Sequence, residues 1–321
     1  MRNFRYVPHL HYHLKHRHLT AGRAEEGGIM NNSNWIDRDE YPFASHYFRV
    51  PAGNLHYVDE GSGAPIVMVH GNPTWSFLYR KLIKRLRSDY RCIAMDHLGF
   101  GLSDKPRDWS YLPKDHAANL MALIKGLKLK NITLIVQDWG GPTGLSYAVA
   151  YPENVARIII MNTWCWPVNH DPYYIAFSGF VGGPIGRMLI RRYNFFARSI
   201  MRQAFGDKRK LSAAAHEHYL RALANPEERK GCFIFPKQII ASTPWLDQLW
   251  SHISTLNNKP TLIVWGMKDI AFREKELQRW ERTFPEARTV RLSSVGHFPQ
   301  EEAPDELTDE IVPFLRETAL A

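Results

Sequence analysis

Residues 134–142 read Leu-Ile-Val-Gln-Asp-Trp-Gly-Gly-Pro, and they limit the fold more than any other stretch. A short apolar run stops at an acid, two glycines follow, and residues 143–150 continue as an amphipathic helix. That is a strand, a sharp turn and a helix, with Asp138 alone at the apex. Such a turn pushes its apex residue toward unfavourable backbone angles, and the glycines let strand and helix approach closely. A carboxylate is costly to bury at a strained apex, so its presence there points to use.

The flanking sequence supplies more of the same units. Residues 45–50 and 54–59 alternate as two strands joined by Pro51-Ala52-Gly53. Residues 66–69, 91–96, 132–136, 155–161 and 261–266 are apolar runs of the kind expected when both faces of a parallel strand are covered. Helical patterns at residues 115–127 and 274–283, and a last helix over 304–318, alternate with them, and residues 288–292 supply one more strand. The pattern predicts an α/β protein with a mostly parallel, doubly wound sheet. With 45% hydrophobic and 23% charged residues, 321 residues can bury a core of that size.

Between residue 162 and about 243 the alternation stops. Residues 189–205 and 213–224 favour helix, and Pro167, Pro172, Pro184 and Pro236 act as breakers. The expected organisation is a core at 41–163 and 244–321, a helical cap at 164–243, and a basic extension at 1–40. That extension carries His9, His11, His13, His16 and His18, and is read as a flexible tail outside the fold.

The net charge of +9 raises nucleic acid as a partner. Residues 165–243 hold twelve Lys/Arg against five acids, but these bases are dispersed, without zinc spacing or a recognition motif. A solvated positive face accounts for them. No apolar run reaches membrane-span length and the N-terminus lacks an apolar signal core, so neither a membrane nor secretion is expected. Cys92, Cys165 and Cys232 are scattered, which fits reduced thiols in a cytoplasmic protein and no metal site.

Three groups then stand after strands, in the order Asp138, Asp269, His297. Ligands bind at that edge of an open α/β sheet. The order nucleophile, acid, histidine, with an insertion after the first, is that of the α/β-hydrolase fold. A carboxylate in the nucleophile's place is already ionised near neutral pH and can attack an sp³ carbon or an epoxide, forming an ester on itself. Hydrolysis of that ester needs a general base, His297, with Asp269 to orient it.

Four motifs together carry a family resemblance: His70-Gly71-Asn72-Pro73-Thr74, residues 96–106 (Asp-His-Leu-Gly-Phe-Gly-Leu-Ser-Asp-Lys-Pro), Val136-Gln137-Asp138-Trp139-Gly140-Gly141, and Gly296-His297-Phe298. From residue 41 onward the chain resembles the haloalkane dehalogenases. The resemblance implies hydrolysis of a carbon–halogen bond in a small halogenated hydrocarbon to alcohol, halide and proton, without a cofactor. It implies Asp138 as nucleophile, His297 as base and Asp269 as the third member. The Asn72 amide and the Trp139 indole N–H would hold the halide, and their backbone N–H groups would form the oxyanion hole. Many relatives carry a glutamate after the strand that ends here at Asn162; that departure places this chain near the subfamilies with the later acid, and the Asn72–Trp139 pair points to the third. Trp164 and Trp166 are read as wall residues.

Each residue also has a structural counterpart: Asp138 as a helix cap, Asp269 as a turn former, Asn72 as a loop fixer, Asp96 and Asp104 as loop acids. Epoxide hydrolysis uses the same triad but needs an acid, usually cap tyrosines, and Tyr173, Tyr174, Tyr193 and Tyr219 are available. Epoxide hydrolases usually carry an aromatic residue in place of Asn72 and His in place of Gln137. Fluoroacetate dehalogenases favour Arg in place of Trp139. A non-catalytic binding protein that kept the pocket is the remaining alternative. Oligomeric state has no sequence argument.

Overall fold

The computed structural model describes residues 34–318. Eight strands form one sheet in the order β1-β2-β4-β3-β5-β6-β7-β8. They are β1 (His46–Val50), β2 (Gly53–Glu60), β3 (Pro65–Val69), β4 (Arg91–Met95), β5 (Ile132–Asp138), β6 (Val155–Thr163), β7 (Thr261–Gly266) and β8 (Arg288–Leu292). Only β2 runs against the rest, pairing antiparallel with both β1 and β4, and β3 to β8 are parallel to one another.

The apolar runs are continuous because alternate residues serve two cores. Val67, Val69, Leu134, Val136, Ile158 and Ile160 pack on one face. Ile66, Met68, Ile135, Ile159, Met161 and Val264 pack on the other. Helices cover both faces, which is what a parallel sheet of this width requires.

Beyond β6 lies the helical insertion: Pro172–Val181, Pro184–Tyr193, Ala213–Arg221 and Lys230–Ala241, with a short π-helical piece at Phe196–Ile200. Here the proline reading needs correction. Pro172 and Pro184 begin helices, where a missing N–H costs nothing, and Pro236 sits inside Lys230–Ala241. The single helix expected over 189–205 is interrupted at Asn194, whose left-handed backbone caps Pro184–Tyr193. The insertion is tied to the core through buried polar groups. The Tyr219 hydroxyl donates to Glu301, which also accepts from Arg80. The backbone N–H groups of Gly206 and Asp207 donate to Glu302.

The ordered body starts before Tyr41. Trp35 packs edge-on against Trp75, Ile36 is buried, and the Asp37 N–H donates to His218 Nε2. Residues 1–33, with the histidine-rich tract, lie outside the described residues. Among the described residues no helix is long and apolar enough to cross a membrane.

Candidate active site

Asp138 closes β5 with φ +52°, a left-handed backbone that a non-glycine residue adopts at a cost. Helix Gly140–Ala150 follows at once. Two glycines make the turn possible. A Cβ on Gly140 would overlap the Val69 carbonyl, and one on Gly71 would overlap the Asp138 carboxylate. The Asn72 backbone N–H donates to Asp138 Oδ1 at 2.7 Å, and the Trp139 backbone N–H also bonds this carboxylate. The other oxygen, Oδ2, lies 3.6 Å from His297 Nε2. Burial raises the Asp138 carboxyl above the usual carboxylate range, while His297 and the two backbone donors pull it back.

Because the Asp138 side chain fills the space a Gly71 Cβ would need, Gly71→Ala is expected to displace it. Overpacking of this kind costs about 1–3 kcal/mol, and a misplaced nucleophile can lose on the order of 100-fold in rate. Thermal melting together with first-turnover halide release checks both; unchanged values in both would contradict the packing.

His297 comes from the loop after β8 and is 4% exposed. Its Nδ1 bonds Asp269 Oδ2 at 2.8 Å. Asp269, after β7, accepts at Oδ1 from the Ala271 N–H and at Oδ2 also from Asn162 Nδ2, at 2.9 Å. Asn162 lies within β6 with φ +30°, and its Oδ1 accepts the Gly266 N–H. So the strand runs past 161, and the residue where many relatives would place an acid instead clamps Asp269 and the end of β7. For His297, burial favours the neutral ring, but the Asp269 charge and hydrogen bond, with the Asp138 charge, outweigh it and raise its pKa.

These groups face a cavity of about 80 Å³, lined by Asn72, Asp138, Trp139, Trp164 and His297 beneath Phe177, Phe196, Met201, Ile239 and Phe272. A buried water needs about 15 Å³, so the space corresponds to roughly five waters, enough for a short chain. Trp139 is 2% exposed and stacks on Phe235. Asn72 Oδ1 is buried without a partner, and its Nδ2 makes only a long 3.4 Å contact to the Cys232 carbonyl. That leaves amide protons available to the cavity.

The structure therefore brings Asn72, Asp138, Trp139 and His297 to one cavity, with Asp269 behind it on His297 Nδ1. It separates others. Trp164 lines the cavity whereas Trp166 packs on Trp250 and Trp280. Of the cap phenylalanines, Phe177 and Phe196 line it, Phe233 lies under Arg187, and Phe180 is exposed. Asp96 accepts from the Ser76 and Leu102 N–H groups and from His56, and Asp104 holds Asn54. No Lys or Arg lines the cavity, so the basic cap does not charge it. Tyr173 and Tyr174 do line it, but their hydroxyls donate to the carbonyls of Ile270 and Ala271. Tyr219 is committed to Glu301. Sequence reasoning used Gln137 and Asn162 only as marks of family and assigned neither a contact in the site; neutral amides show no role until their partners are in place.

Residues 64–304 match the family model described as the alpha/beta hydrolase fold. The chain is 41% identical over 278 residues to haloalkane dehalogenase 2 of Mycobacterium tuberculosis, covering 86% of this chain and 96% of that one. It is 36% identical over 286 residues to a cis-3-alkyl-4-alkyloxetan-2-one decarboxylase of Shewanella oneidensis, covering 86% and 90%. The crystal structure of the haloalkane dehalogenase DatA from Agrobacterium tumefaciens C58 superposes with a TM-score of 0.77 at 26% identity, covering 86% and 97%.

Proposed function

The chain belongs to the α/β-hydrolase family and, within it, to the haloalkane dehalogenases, and we propose that it cuts carbon–halogen bonds through an ester on Asp138. Of the two carboxylate oxygens, Oδ1 accepts the Asn72 backbone N–H and Oδ2 is the one turned toward His297. Oδ2 attacks the halogen-bearing carbon, the carbon–halogen bond breaks with its electron pair, and halide departs. The Trp139 indole N–H and the Asn72 amide are donors suited to that anion in an apolar cavity.

Water then attacks Cγ of the ester. His297 Nε2 takes the water proton, and the charge developing on Oδ1 meets the Asn72 N–H, which already donates to it, with the Trp139 N–H beside the same carboxylate. Collapse releases the alcohol and restores the carboxylate with one oxygen from water. The proton leaves from His297, so one halide and one proton appear per alcohol.

The observation that carries this reading over epoxide opening is the state of the cavity tyrosines. Epoxide opening needs a proton donor aimed at the ring oxygen, and both hydroxyls are spent on carbonyls. The absence of a cation in the lining likewise disfavours a carboxylate-bearing substrate such as fluoroacetate.

Incubation with 1,2-dibromoethane and 1-bromobutane, with halide followed in solution, tests the proposal. Halide and alcohol in equal amounts are expected. Epoxide turnover without halide release would overturn it. So would alkene and carbon dioxide from a cis-3,4-dialkyloxetan-2-one with no halide from either bromide, which would move the chain to the chemistry named for its Shewanella relative.

A further inference from the structure

Gln137 precedes the nucleophile and has no part in the steps above, yet it touches the base. Its side chain is fully buried. The amide nitrogen lies 2.8 Å from His297 Nε2 and donates to the His297 carbonyl oxygen at 3.0 Å. A carbonyl oxygen only accepts, so the NH₂ end is the one that faces it. Turning the amide over would set oxygen against oxygen. The same NH₂ group then meets Nε2, and two N–H groups do not face each other at 2.8 Å. Nε2 must carry its lone pair, and the ring proton sits on Nδ1, toward Asp269. Gln137 Oε1 is buried with no partner among the described residues. A chain leaves an amide oxygen unsatisfied at a cost, so the other end of the amide is what is being used.

We propose that Gln137 is a positioning residue that holds His297 in the Nδ1–H form and keeps Nε2 unprotonated until the ester has formed. This rests on the reading of His297 as base. The groups that draw a proton onto the ring are Asp269 after β7, Asp138 after β5 and, farther off, Glu302 of the Pro299–Glu302 turn. Against these three carboxylates Gln137 is the neutral donor that only the unprotonated ring can satisfy. Once Asp138 is esterified one of the charges is gone. Water then takes the place at Nε2, and the His297 carbonyl remains as the anchor of the amide.

Two substitutions of similar shape separate this role from simple packing. Gln137→Met removes the donor and is expected to move the titration of the His297 ring in the free enzyme, followed in ¹⁵N-histidine spectra, upward by about one pH unit, the tenfold change that one buried hydrogen bond carries, while first-turnover halide release persists. Gln137→Glu puts an acceptor against Nε2, holds the ring as imidazolium, and is expected to lower kcat at neutral pH by about 100-fold with ester accumulating in intact-mass spectra. An unshifted His297 titration in Gln137→Met, with first-turnover halide release intact, overturns the inference and leaves the dehalogenase reading standing. No halide from either bromide with the unaltered enzyme overturns that reading instead. Should the variants not fold, ¹⁵N-histidine spectra of the unaltered enzyme decide: a proton on Nδ1 alone at neutral pH supports the proposal, and a proton on Nε2 overturns it.

Discussion

His297→Ala is expected to convert the enzyme into a single-turnover trap. The first step needs only an ionised Asp138 and a departing anion, and neither depends on a base. The backbone N–H groups of Asn72 and Trp139 remain on the carboxylate when the imidazole is removed. Halide should appear as one equivalent per enzyme and then stop. The second step loses its only base, since no other His, Lys or Arg lines the cavity and its remaining carboxylate is the ester itself. Steady-state turnover should fall by roughly 10⁴-fold or more, the scale seen when a member of a catalytic triad is removed. An intact-mass spectrum after 1-bromobutane should show the alkyl mass on one residue, and digestion should place it on Asp138. A stoichiometric burst without an adduct on Asp138 contradicts the two-step scheme.

The pH dependence follows from the same division. Asp138 must be ionised to attack, so the first step fades as pH falls through a carboxyl value raised by burial. His297 must be neutral to take a proton, so the second step fades as pH falls through an imidazole value raised by the Asp269 charge. The raised imidazole makes the second step the first to fail on acidification. The burst should therefore survive to lower pH than steady-state turnover does.

How much of this was legible beforehand depends on where each residue sits. The strands from β3 to β7 are covered on both faces, and their unbroken apolar runs stand out in a chain that otherwise alternates. Asp138, Asp269 and His297 are visible because each is a polar residue directly behind such a run or behind β8. The cap was less readable. Proline at the first position of Pro172–Val181 and Pro184–Tyr193 looks like a stop although it is a start, and Pro236 lies inside a helix and itself lines the cavity. Asn194 reverses the chain by adopting a left-handed angle open to asparagine, which no periodicity reports. The segment before Tyr41 reads as tail because its anchors, Trp35 and Ile36, are two isolated apolar residues. Gln137 and Asn162 are neutral amides whose work is defined only by what the ends of β7 and β8 bring beside them.

Asp269→Asn is expected to lower turnover less than loss of the base does, with much of its cost appearing as lost stability. Asp269 Oδ2 accepts from two donors at once, His297 Nδ1 and Asn162 Nδ2. Its other oxygen accepts the Ala271 N–H. A carboxylate satisfies all three donors, because both its ends accept. An amide cannot, since one end must present N–H to a donor. If the amide oxygen stays with Ala271, the NH₂ faces His297 Nδ1, and the ring proton moves to Nε2. That proton points at Asp138 and at the Gln137 amide, and the base has no lone pair where water must give up its proton. If the amide turns over, tautomer and base survive but the Ala271 N–H meets an NH₂ group. The first arrangement carries a loss of about 10⁴-fold, known for the equivalent acid-to-amide change in a serine protease triad. The second spares catalysis at a stability cost of about 1–3 kcal/mol for an unsatisfied buried donor. Asn162 decides between them: its amide is fixed by the Gly266 N–H and carbonyl, so its Nδ2 keeps pointing at the atom that replaces Oδ2 and favours an acceptor there. Asn162→Leu in the Asp269→Asn background removes that preference and should deepen the catalytic loss while relieving part of the stability loss. Turnover of the Asp269→Asn single variant at the wild-type rate, with an unchanged melting temperature, would show that Asp269 is not the partner of His297 in catalysis.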